Sequence, residues 1–87
     1  MPEDEEHTRE RILKDIRLFY ESYDRSAIEH ACKSVKHVMD LSEMYAKDAE
    51  SYLKKGDLYT AFSCISYAHG LLDALKEING AGIGKEV

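Results

Sequence analysis

Between Pro2 and Gly56 the chain runs for 53 residues without a glycine or a proline. Both residues break helices, glycine through backbone entropy and proline through its missing N–H, so a run this long without either dictates helix. The first apolar set within it is Ile12, Leu13, Ile16, Phe19, Tyr20 and Tyr23. At helical spacing these positions fall inside an arc of roughly 120°. Glu3, Asp4, Glu5 and Glu6 precede the set, where carboxylates favour the positive end of a helix dipole. A helix over about 4–22 is expected.

The second set is Ile28, Ala31, Cys32, Val35, Val38, Met39, Tyr45, Ala46, Ala49, Tyr52 and Leu53. On one straight helix it would be rotated by roughly 80° from the first set, so the chain must turn between them. Ser26-Ala-Ile-Glu29 is a capping box that restarts a helix, and a second helix over about 26–55 follows. Asp40-Leu41-Ser42-Glu43 also has the form of a cap. Without a nearby Gly or Pro, the helix is expected to run through it unbroken.

Lys54-Lys55-Gly56-Asp57 is the clearest punctuation in the chain. The lysines suit a helix C-terminus, Gly56 a left-handed cap, and Asp57 the N-cap of the next helix. So short a turn makes the flanking helices antiparallel. Leu58, Ala61, Phe62, Ile65, Ala68, Leu72 and Leu75 form the third stripe, on a helix over about 58–79, and 81–87 reads as a tail. The expected fold is all-α, an up-and-down antiparallel three-helix bundle with a long middle helix, in one domain over 1–80.

Charge excludes several function classes. The formal net charge is −5, and several of the bases are matched by acids four residues earlier, as in Glu10–Lys14 and Glu43–Lys47. Such spacing marks solvated helix faces. With no basic stripe to neutralise phosphates, no nucleic-acid partner is expected. No apolar run approaches the ~20 residues of a membrane span, and no apolar stretch follows a basic N-terminus. Cys32 and Cys64 are far apart and outside any CxxC pattern, which suggests reduced thiols in a cytoplasmic protein.

Two constellations stand out. Tyr67, His69, Gly70 and Asp73 form the densest polar cluster. His69 and Asp73 are one turn apart, so the carboxylate can orient the imidazole in a small-ligand or weak catalytic site. His69 also lies inside the apolar arc, where a histidine more often hydrogen-bonds a facing helix. Gly70 weakens a helix interior, and close packing of another backbone is its expected reason.

The second constellation is His37, Leu41 and Met44, on the side of helix two away from its main stripe. It reads as ordinary surface or as a contact strip for a protein partner, including a second copy of the chain. A metal shared by His30 and His37 lacks a third ligand at suitable spacing. Arg25 and His30 match an Arg-x4-His pattern of some helical-bundle ribonucleases, a match that chance readily supplies. Tyr45, Tyr52 and Tyr59 repeat every seven residues, but Gly56 interrupts the ladder. No catalytic residue, cofactor or metal site is assigned.

The stretch Tyr45-Ala46-Lys47-Asp48-Ala49, with Tyr52-Leu53, Gly56-Asp57, Ala61-Phe62 and then Ser66-Tyr67-Ala68-His69-Gly70-Leu71-Leu72-Asp73-Ala74, resembles the archaeal domain of unknown function numbered 357. The resemblance covers the C-terminal half. It implies a short three-helix protein of an archaeal cytoplasm, with no assigned activity or cofactor. The leading expectation is therefore a non-enzymatic protein-interaction module. The alternative is a ligand site around His69 and Asp73.

Overall fold

A computed structural model describes residues 2–23 and 33–80. Its elements are α1 (Pro2–Ser22), α2 (Lys33–Lys54) and α3 (Leu58–Gly80), with no strand among the described residues. Helix α1 starts earlier than expected because Pro2 occupies its first turn, where a missing N–H costs nothing. The described part of α2 has 22 residues, close to the 21 of α1 and the 23 of α3. The expected start of the middle helix, its Ser26–Glu29 capping box, and Arg25, His30 and Cys32 lie outside the described residues. So does the tail 81–87.

Helix α2 is unbroken through Asp40-Leu41-Ser42-Glu43. Ser42 is fully buried there, and its hydroxyl donates to the Met39 carbonyl at 2.7 Å. Satisfied inside its own helix, the hydroxyl neither caps nor interrupts α2.

The turn after α2 is made of interlocking caps. Gly56 has φ +84°, the left-handed conformation that a side chain disfavours. Its N–H donates to Leu53 at 3.1 Å, and the Asp57 N–H donates to Tyr52 at 3.0 Å. Those are the two bonds of a Schellman motif. Asp57 then caps α3, accepting from the Thr60 N–H at 3.1 Å and from the Thr60 hydroxyl at 2.7 Å. The hydroxyl, then the N–H, hold the Asp57 carboxyl below its ordinary value.

The core has a division of labour. Ala46 and Ala49 of α2 and Ala61 and Ala68 of α3 are fully buried, so these two backbones approach closely. Ile12, Ile16 and Phe19 of α1 bring the large side chains that cover the hairpin. Helix α1 runs parallel to α3 and antiparallel to α2. It is fastened to α2 by Arg9, whose guanidinium donates to the Leu53 carbonyl at 2.9 Å. That carbonyl is at the C-terminal end of α2, where the helix dipole favours a cation.

Two apolar residues expected in the stripes lie outside the core. Leu13 is 50% exposed and Phe62 44% exposed. Leu13 sits about 100° round from Ile12, past the edge of the buried arc. Phe62 lines the margin of α3 beside the first turns of α1, where every side chain from Glu5 to Arg11 is exposed and none closes over it.

Tyr20 supplies a second tie between α1 and α2, because its phenol donates to the Glu50 carboxylate. Burial first, then the Glu50 charge and that hydrogen bond, push the phenol up from 10.0 to about 12. The fold thus holds the neutral phenol. Its contribution is complete below about pH 10 and is lost as pH rises through about 12. Tyr20→Phe is expected to cost about 1 kcal/mol at neutral pH. Thermal melts followed by circular dichroism should show that cost shrinking between pH 10 and 12.

Candidate interaction surface

The structure separates the four residues of the Tyr67–Asp73 cluster. His69 points to α1, where its Nε2 lies 2.8 Å from the Asp15 carbonyl oxygen. A carbonyl can only accept, so Nε2 carries the proton and donates it. The imidazole also meets the Phe19 ring edge-on, with centroids 5.8 Å apart. Asp73 is exposed, and no hydrogen bond joins it to His69 among the described residues. His69 therefore fastens α3 to α1 through one nitrogen, and the carboxylate one turn later does not orient it.

Tyr67 faces the other way. Its ring lies 4.6 Å from that of Tyr45 on α2, tilted by 55°. Gly70 is exposed, and a Cβ built on it would meet nothing within 4 Å. The expected close packing around Gly70 is absent among the described residues, where α1 and α2 both pack on the opposite side of α3.

Gly70 belongs to a row. Tyr59, Ser63, Ser66, Gly70 and Ala74 are spaced by three or four residues and are all exposed, so they share the outward side of α3. Phe62 flanks the row toward α1, and Tyr67, 53% exposed, flanks it toward α2. From Leu58 to Leu72 the chain has no Asp, Glu, Lys or Arg. At the overall charged share of 33%, about five would stand in a stretch of that length. This was the signal available in the sequence. A search for chemistry-bearing residues passes over it because the surface is defined by what is missing.

The strip on α2 adjoins this face. Tyr45 is level with Tyr67, and in an antiparallel hairpin each step back along α2 from that pair is matched by a step forward along α3. That register puts Leu41 level with Leu71. Leu41 is half-buried, Met44 is 46% exposed and His37 is exposed. The tyrosine ladder does not form. Tyr52 lies beneath the Lys55 ammonium at 5.2 Å, and Tyr59 is 83% exposed.

Beside the same face, the first turns of α1 and the start of α3 bound an open groove of about 790 Å³. Thr8 and Arg11 line it on one side, Leu58, Tyr59 and Phe62 on the other. Elsewhere the chemistry is quiet. Burial, then the Asp48 and Asp57 charges, push the Cys64 thiol up and away from the reactive thiolate. Among the described residues no three His, Cys, Asp or Glu side chains are placed to hold a metal ion. No described helix is long and apolar enough to cross a membrane.

Three helices with a short α2–α3 hairpin and an aromatic, uncharged outer face place the chain among small helical-bundle proteins. A family model, described as a protein of unknown function (DUF357), matches residues 9–80, and the chain belongs to that family. No curated protein and no solved structure matches it.

The two neighbouring positions on α3 should respond oppositely to the same substitution. His69→Ala removes a hydrogen bond and a ring contact and is expected to cost about 1–2 kcal/mol. Gly70→Ala places a methyl in open space on a helix interior and should stabilise by about 0.5–1 kcal/mol in dilute solution. Urea unfolding of both variants checks the pair.

Proposed function

We propose that this is a non-enzymatic interaction module of an archaeal cytoplasm, which docks through the outer face of α3. The single observation that carries the reading is the uncharged, ring-flanked row from Tyr59 to Gly70 on a chain in which a third of all residues are charged. Water gains little from such a face, and a partner that covers its rings removes apolar area from solvent. His37, Leu41 and Met44 extend the same surface onto α2. The His69 imidazole is occupied with tying α3 to α1, and the interaction reading gives it that structural part.

The test places charge on the face without disturbing the core. Tyr59→Glu, and separately the pair Leu41→Glu with Met44→Glu, are compared with wild type in tagged capture from native lysate. The expected result is loss of the retained proteins by Tyr59→Glu, at a melting temperature within a few degrees of wild type. Retention of every partner by both variants would overturn the assignment of the face.

A further inference from the structure

We infer that the occupant of this face is a second copy of the chain, seated so that the two α3 helices cross at Gly70; this rests on the docking role proposed for that surface. Charge makes the first argument. Each copy carries a net charge of −5, so two copies repel one another over most approaches. Tyr59, Ser63, Ser66 and Gly70 are the outward surface of the charge-free stretch from Leu58 to Leu72, so identical faces meet over it with no like charges opposed, while Asp73 and Glu77 follow beyond its C-terminal end. It also offers no ion pair to a charged partner, which would have to strip its own charges of water without compensation.

Shape makes the second argument. A two-fold contact uses the same patch twice, so the patch must be self-complementary. Here a floor of small residues lies between raised rings, Phe62 on one side and Tyr67 on the other. The floor of one copy accepts the helix of the other, and the rings fall to either side of the crossing. Gly70, with 4 Å of open space where a side chain would project, permits the nearest approach. The helix-weakening glycine thereby acquires a use that packing among the described residues does not give it.

Area makes the third. At exposures of 83% for Tyr59, 44% for Phe62 and 53% for Tyr67, the three rings leave roughly 350 Å² open. With the small residues between them and Met44 at the margin, the face approaches the ~800 Å² per partner of a standard interface.

The experiment is sedimentation equilibrium of the purified full chain across a concentration series. The expected result is a rise from the 9.9 kDa monomer toward twice that mass, with association stronger in about 0.5 M salt than in 0.05 M, because salt screens the repulsion and there is no ion pair to weaken. Gly70→Glu should weaken association at least about tenfold while raising the melting temperature of the dilute chain, since Glu is the better helix former. That combination separates a lost interface from a damaged fold. With Cys32→Ser and Cys64→Ser as background, Gly70→Cys should form a disulfide-linked dimer on mild oxidation, and Glu77→Cys should not.

A monomer at every concentration and salt overturns the inference, as does a dimer that Gly70→Glu leaves intact. If the chain stays monomeric while Tyr59→Glu still loses captured proteins, the second copy is wrong and the docking face stands. If the chain stays monomeric and Tyr59→Glu loses nothing, both are wrong.

Discussion

The left-handed residue at Gly56 is the constraint on which the rest of the bundle depends. With φ +84° it ends α2 and lets the N–H groups of Gly56 and Asp57 turn back to Leu53 and Tyr52. Asp57 belongs to both helices at once, closing α2 through its N–H and opening α3 through its carboxylate. A connection this short leaves α2 and α3 no freedom of direction and little of register. The register puts small residues level with small residues, and Ala46, Ala49, Ala61 and Ala68 are all fully buried. Backbones so close leave one broad apolar groove on one side of the hairpin, and Ile12, Ile16 and Phe19 fill it.

Helix α1 is held by apolar packing and by polar ties at separate levels. Arg9 reaches the end of α2, Tyr20 reaches Glu50, and the Asp15 carbonyl receives the proton of His69. Each satisfies a polar group that packing would otherwise leave wanting. Together they set α1 against the hairpin along its central and C-terminal turns, and the first turns of α1 stay open beside Tyr59 and Phe62. That same placement leaves the outward side of α3 uncovered by the described residues. The face argued to bind a partner is thus a consequence of where α1 sits, with Gly70 at its middle.

Much of this was legible in single residues. The absence of breakers to Gly56, the Lys-Lys-Gly-Asp punctuation and the three stripes specify helices, turn and direction. The reading of His69 as a core histidine bonded to a facing helix also followed from its place in the apolar arc. Its partner did not, because a backbone carbonyl leaves no trace in a sequence, whereas Asp73 was one turn away and visible. Leu13 and Phe62 looked like core because periodicity assigns a face and not an edge; how far burial extends depends on how closely the next helix lies. Gly70 looked like a packing glycine for the same reason, since a wheel cannot say which side of a helix its neighbours take.

The sequence by itself therefore determined the elements, their antiparallel hairpin and the class of fold. Those follow from local rules, the cost of Gly and Pro in a helix and the bonds that cap its ends. Only the tertiary structure decided which side of α3 is covered, that His69 and Gly70 face apart, and that Leu41 lies level with Leu71. Those depend on where α1 comes to rest on the hairpin. Its position is set by contacts more than forty residues apart, from Arg9 to Leu53 and from Asp15 to His69, which no local spacing encodes.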